Sequence, residues 1–443
     1  MDKREGTRGF LLRGAIASFA VKIIGTGIAF IAQILLASWL GVVSYGNYVY
    51  VFTWLNLLVI PAKWGFDIAS LRFVATYCAN GEWGALTGFF RYSWRRTIAI
   101  STAIAISLFL VVRSLRHVLG LELYQTFAIA SLILPLFAIV HLAQRQLQGL
   151  QKVVRSPVPH DVLIPAIVLG GAAILAQSPS VPLDARTIAI LHLVAMPMAL
   201  GVLLWWIAKA LPPPVRTATR QNHDREWNET ARSTMLVMGF GLMLSQMDTI
   251  MLGLLVGTTE AGLYFAASRL SKLLIFFLAA VDVVQSPLAA KLHARGDRAE
   301  LQKTVSLGAC AVFYISLASG IFLTICGRWF LHLFGVEFIA SYPILVVLIV
   351  GQLINALTGS VEPLLYVTGY HRDTARVLGA SAIVNLALNG ILIPHYGAMG
   401  AAIATTITLF LSNVALSVFV WYRLRIVALA FPINMIQSNH RDG

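Results

Sequence analysis

Twelve apolar runs, each close to the length of a bilayer, constrain this chain more than any other feature. A spanning helix needs about 20 mostly apolar residues. Candidate runs lie near 14–40, 45–73, 93–112, 121–142, 162–176 and 188–208, and again near 233–256, 262–289, 305–326, 338–366, 377–393 and 398–422. Only 12% of the residues are charged, against 58% hydrophobic, and mean hydropathy is +0.78. A soluble domain carries about a quarter charged residues, so this chain lacks the material for a solvated surface. The expected fold is all-α: a polytopic membrane protein of about twelve transmembrane helices. Pro61, Pro135, Pro165, Pro197 and Pro343 fall inside runs, where membrane helices tolerate kinks if neighbours re-satisfy the freed carbonyls.

The net charge of +14 would suggest nucleic acid in a soluble protein. Here the placement of the cations explains it. With the N-terminus inside, the cytoplasmic segments collect 25 of the 33 Lys and Arg residues, and the external loops hold only Arg113, Arg116, Arg186 and Arg328. Cytoplasmic loops of membrane proteins carry this excess. Both termini are therefore expected in the cytoplasm, with an even span count and no nucleic-acid partner. The first run follows a basic start and is too long for a signal peptide, so it reads as a span. Cys78, Cys310 and Cys326 are scattered and odd in number, which gives neither a disulfide framework nor metal-ligand spacing.

The one long polar stretch, 211–232, opens on Pro212-Pro213-Pro214 and contains Asp224, Arg225, Glu226 and Glu229. It reads as a cytoplasmic linker between an N-terminal six-helix lobe, 1–210, and a C-terminal one, 233–425, with a tail at 426–443. The halves echo each other. Gly41, Gly46 and Tyr48 recur 216 residues later as Gly257, Gly262 and Tyr264. Asp67 and the Gly81-Glu82, Gly120 and Glu122 positions recur 215 later as Asp282, Gly296-Asp297, Gly335 and Glu337, and Gly149 recurs 220 later as Gly369. Units with an even number of spans share one orientation, which predicts parallel repeats, a geometry transporters use with substrate near the midplane.

The stretch Leu40-Gly41, Tyr45-Gly46 and Tyr48 resembles the start of bacterial polysaccharide-biosynthesis exporters. Asp248, Gly257, Gly262, Tyr264, Ala267 and Arg269 extend the resemblance, as does Gly335-Val336-Glu337-Phe338. The pattern is similar to the O-antigen flippase family, in the superfamily that also holds lipid II flippases and multidrug and toxin extruders. The resemblance implies two six-helix lobes around a central cavity in the bacterial cytoplasmic membrane. It implies alternating access that carries an undecaprenyl-diphosphate-linked oligosaccharide to the outer leaflet, with membrane lipids and other polysaccharide-assembly proteins as partners.

Ionisable side chains inside the bilayer cost at least about 2.5–3.5 kcal/mol each and usually face a cavity or a partner. Arg269 and Lys272 sit three apart on one helix face, roughly 10 and 15 Å from the external end. A diphosphate would compensate both, as would a carboxylate on another helix. Lys22 and Lys63 are further candidates for an anionic substrate; lipid II flippases resemble this layout, with a cationic cavity from the first, second and eighth helices. Snorkelling competes for Lys22, and pairing with Asp67 competes for Lys63. Asp248, with Gln33 as its repeat mate, is a candidate carrier of a proton or sodium ion, or a partner of a nearby cation. Asp67, Asp282, Glu362 and Arg145 lie near cytoplasmic ends, as gate elements or as capping and polar contacts. His141 reads as a core histidine.

Cationic residues outnumber deep acids, which favours a lipid-linked oligosaccharide flippase over a cation-coupled drug or metabolite antiporter. A membrane glycosyltransferase or polymerase would need catalytic groups on sizeable external loops, and these loops are short. No phosphate-binding glycine-rich lysine motif, nucleophile triad or metal-ligand cluster is present, so neither an enzyme nor a cofactor is expected.

Overall fold

The computed structural model describes the backbone of residues 2–177 and 182–430, and the side chains of these except 2–23, 216, 236–244, 277, 280, 283 and 371. Among the described residues every regular element is helical, and the chain is an all-α polytopic membrane protein. Helix α1 (Asp2–Lys63) is split at Gly41 (φ 71°, ψ 171°), so residues 2–40 and 42–63 are separate helices. Then come α2 (Phe66–Asn80), α3 (Trp83–Ser114) and α4 (Leu121–Gly149). A π-helical turn (Pro159–Leu163) leads into α5 (Ile164–Ala176), followed by α6 (Ala185–Ala210) and α7 (Asp224–Leu255). Next are α8 (Thr258–Ser271), α9 (Leu273–Arg295), α10 (Arg298–Phe334), α11 (Tyr342–Thr358) and α12 (Val361–Val367). The last, α13 (His371–Leu424), is split at Gly397 (φ 56°, ψ −136°).

Eight helical stretches among the described residues are long and apolar enough to cross a membrane. Two of them, 24–63 and 372–424, each hold two helices joined at a glycine break. Outside those eight, α7 and the α8–α9 pair are of comparable length, which brings the total to the expected twelve. Large apolar side chains such as Val118, Ile174, Val284 and Ile325 are exposed. A soluble protein could not present so many, whereas lipid tails solvate them. Polar residues on the spans are largely satisfied locally: Thr53, Ser70 and Ser93 donate to carbonyls one turn back.

The chain divides into two compact units, Met1–Gln246 and Met247–Gly443. In the first, α4 is innermost and packs on α1, α2, α3 and α6, burying Ala130, Ile133, Leu134, Ala138 and Leu142. The polar stretch after α6 is also anchored. Trp227 is fully buried, donates to the Tyr77 hydroxyl at 2.8 Å and packs on Phe89 and Tyr92, while the Gln221 amide donates to the Gly84 carbonyl. In the second unit, Arg425 takes a left-handed conformation and turns the chain back after α13. Residues 426–430 then pack on the unit's core. Gln302 clasps them by accepting from the Val427 amide at 2.8 Å and donating to the Val427 carbonyl at 2.7 Å.

Three runs that read as continuous in the sequence are broken. The second span breaks at Trp64-Gly65, both with positive φ. The eighth is interrupted more mildly at Lys272, between α8 and α9, where the dihedrals stay right-handed (φ −67°, ψ −12°). The tenth breaks at Gly359 (φ 60°, ψ −145°), between α11 and α12. Discontinuous helices of this kind line transporter sites, because freed backbone groups must find partners there. Lys63, Lys272 and Glu362 each lie at one of these breaks.

Candidate substrate and ion sites

The structure sorts the described residues singled out above into three groups. The first, in the second unit, surrounds Asp248 on α7. This carboxylate is buried and accepts three hydrogen bonds: from the Tyr264 hydroxyl at 2.7 Å, the Thr405 hydroxyl at 2.8 Å and the Asn389 amide at 2.6 Å. Asn389 also donates to Asn385, while its own carbonyl oxygen is buried without a partner. Helices α7, α8 and α13 thus converge on one carboxylate, which two hydroxyls and an amide NH2 satisfy as donors. In the first unit the repeat mate Gln33 likewise accepts a tyrosine hydroxyl, from Tyr45 at 2.9 Å, but it is neutral.

Arg269 and Lys272 stand at the end of α8 and at the break that follows. Lys272 is exposed and lies within electrostatic reach of both Arg269 and Asp248. The Arg269 guanidinium sits 4.5 Å from the Phe265 ring centroid, which holds the side chain by cation–π attraction. Two cations and one carboxylate from the sequence reading therefore share a neighbourhood.

The second group lies in the first unit. Lys63 donates to Asp67 at 2.8 Å, with both side chains largely buried, so the pairing alternative is what the structure holds. The turn between them, Trp64-Gly65, packs onto the start of α7, where Trp64 donates to Asn228 at 2.9 Å. Lys63 and Arg145 both lie within electrostatic reach of His141, and Arg145 donates to Gln148 at 2.9 Å. The His141 ring stands 4.6 Å from that of His160, which contacts Asp161 at 2.6 Å. His192 on α6 is close to Tyr48 and Phe52 and bonds the Ile188 carbonyl. Sequence reasoning missed His160, Asp161 and His192. The π-helical turn carries the His160-Asp161 pair into the bundle, where a polar pair just before a span reads as loop; π-turns are frequent at functional sites.

The third group is Asp282 on α9 and Glu362 on α12, in the second unit and within electrostatic reach of each other. Asp282 faces the Ser360 hydroxyl. The Lys22 side chain lies outside the described residues. No group of three or more metal-type ligands occurs among the described residues.

Comparison with known proteins agrees with this architecture. The family model described as polysaccharide biosynthesis protein matches residues 11–293. The chain is 23% identical over 406 residues to the probable low-salt glycan biosynthesis flippase Agl15 of Haloferax volcanii, covering 91% of this chain and 82% of that one. Its fold is similar to that of an inward-facing multidrug resistance MATE family transporter of the MOP superfamily, with a TM-score of 0.71 at 13% identity over 93% of this chain and 98% of the other. It is similar also to the lipid II flippase MurJ in an inward closed conformation, with a TM-score of 0.68 at 13% identity over 96% and 88%. The chain therefore belongs to the polysaccharide biosynthesis protein family.

Proposed function

We propose that this protein is a flippase that carries a polyprenyl-diphosphate-linked oligosaccharide across the bacterial cytoplasmic membrane by alternating access, in surface-polysaccharide assembly. The observation that carries this reading is the pair of cations at the break of the eighth span, Arg269 and Lys272. A diphosphate could engage both cations, arginine as a bidentate fork and lysine as a point charge. Lys22 and Lys63 are the candidate cations of the first unit, Lys63 once it is released from Asp67. That release, with Arg145 beside it, is the gating step in the first unit.

Asp248 is the coupling residue in this reading. Its neighbours offer hydroxyl and carbonyl oxygens, including the unpartnered one of Asn389, and a proton or Na+ there would displace donors from the carboxylate. Cation entry would also change the field at Lys272, which links ion occupancy to the anion site. The relatives that bear on the substrate are those whose own descriptions say glycan biosynthesis flippase and lipid II flippase.

The test is export in cells that depend on this chain. The Arg269→Gln, Lys272→Gln double variant should insert normally and lose surface polysaccharide at least tenfold, with lipid-linked intermediate accumulating on the cytoplasmic leaflet. Normal surface polysaccharide in that variant would remove the anion site from the reading.

A further inference from the structure

The two units treat their matched aspartates in opposite ways. In the first unit Asp67 is answered by a cation the chain carries itself, Lys63 at 2.8 Å. The corresponding positions 215 residues later are Asp282 and Leu278. In place of a lysine, Asp282 meets a second acid: Glu362, whose mate at the 220-residue shift is the buried Leu142. A neutral pair in one unit corresponds to two carboxylates in the other. Among the described residues, neither Asp282 nor Glu362 takes part in an ion pair.

One oxygen of this group lacks a donor. One carboxylate oxygen of Asp282, Oδ1, is buried without a hydrogen-bond partner. Ser360 is only 6% exposed and turns its hydroxyl toward the Asp282 carboxylate. A buried oxygen without a donor is costly, and the unpartnered Asp282 Oδ1, with a second acid in reach, points to a ligand that accepts oxygen lone pairs.

The backbone is interrupted at the same place. The tenth span is interrupted here: α11 ends at Thr358, Gly359 breaks the helix, and α12 restarts at Val361. The end of α11 carries partial negative charge, while the start of α12, where Ser360 and Glu362 stand, carries partial positive charge; half-helix ends with unwound carbonyls are where transporters hold monovalent cations. By helical rise Asp282 lies about 36 Å along α8–α9 from Thr258, at the far edge of a hydrocarbon layer about 30 Å thick, on the side of the basic loops.

We propose that Asp282, Glu362 and Ser360, at the break between α11 and α12, form a binding site for a monovalent cation of the Na+ class. This site is separate from Asp248, and it supplies by a mobile ion what Lys63 supplies covalently in the first unit. The cation neutralises the two acids and holds α9 against the broken tenth span, so its loss to the cytoplasm would loosen that contact.

Equilibrium binding of radiolabelled Na+ to the full-length protein in nanodiscs, in choline buffer, tests this. Asp248→Asn leaves any signal from the Asp248 site out of the measurement. In that background saturable Na+ binding should persist, and adding Asp282→Asn or Glu362→Gln should weaken it at least tenfold. Leu278→Lys gives a second arm: it installs the first unit's own cation one turn before Asp282, and should abolish Na+ binding while leaving the thermal midpoint unchanged or higher. Absence of Na+ binding in Asp248→Asn overturns the proposal. So does binding in that background that Asp282→Asn, Glu362→Gln and Leu278→Lys all leave unaltered, or a signal that follows pH alone. Surface-polysaccharide export is not read here, so the result stands apart from the substrate assignment.

Discussion

A buried ion pair shows its strength when only one partner is removed. Lys63 and Asp67 are largely buried, so Asp67→Asn strands an ammonium, at a cost of about 3–5 kcal/mol for such pairs. Replacing both, as Lys63→Met with Asp67→Leu, should recover most of that loss, since the desolvation of both charges disappears with them. Thermal midpoints of the detergent-purified single and double variants measure this; a harmless Asp67→Asn would mean the pair is not structural. Between the two residues, Gly65 has φ 76°, and a Cβ there would fall 2.1 Å from the Ala231 carbonyl oxygen. Gly81 has nearly the same φ, yet its Cβ would meet nothing closer than 4.0 Å. Gly81→Ala should therefore cost about 1 kcal/mol of left-handed strain, while Gly65→Ala must also push α7 away and should lower the midpoint much further. Equal midpoints would sink the close-packing account. The Lys63–Asp67 pair is legible in the sequence because i, i+4 spacing puts both on one helix face. The partners of Asp248 are not: Tyr264, Asn389 and Thr405 lie 16, 141 and 157 residues away, and only the packed bundle selects them from many polar residues.

Helical elements follow from the apolar runs, but their interruptions follow less easily. Pro61 warns of the break at Trp64-Gly65. Nothing of the kind flags Lys272, where α8 yields to α9 between Ser271 and Leu273 without a glycine or proline. Lys272 keeps right-handed helical dihedrals (φ −67°, ψ −12°), and hydropathy, averaged over a window, is blind to so slight an interruption. The polar stretch 211–232 shows the reverse case. Its composition reads as linker, yet Gln221 and Trp227 bind it to α3. A Cβ at Gly88 would lie 1.9 Å from the Gln221 carbonyl oxygen and 2.9 Å from the Trp227 ring. Gly88→Val should thus dislodge this segment while leaving α3 helical. Limited trypsin digestion checks this: cleavage at Arg216, Arg220 and Arg225 should run several-fold faster in the variant, and an unchanged rate would show that the segment does not depend on that seat.

At the scale of the molecule, the repeat is the feature that sequence and structure share most closely. Gly81 and Gly296, matched by the 215-residue shift, both close helices in left-handed geometry, with φ/ψ of 72°/21° and 71°/11°. Equal local conformations at matched positions are what duplicated units should keep. Where matched positions differ in chemistry, as at Gln33 and Asp248 or Leu278 and Lys63, the units have taken separate tasks. Orientation belongs to this scale too, since it rests on the summed bias of Lys and Arg rather than on any one contact. Val118 follows the third span and Arg295 the eighth, so five crossings separate them, an odd number. In a chain whose Cys78, Cys310 and Cys326 are replaced by Ser, an impermeant maleimide on intact cells should label Val118→Cys and leave Arg295→Cys unlabelled until the membrane is opened. Labelling of Arg295→Cys alone would reverse the orientation, and labelling of both on one side would mean that one of the spans between them, the broken eighth foremost, does not cross. The result bears directly on the ion sites. Only if α8 and α9 cross as one broken span does Asp248 lie toward one face of the membrane and Asp282 toward the other, so that a cation entering at each would meet a different solution.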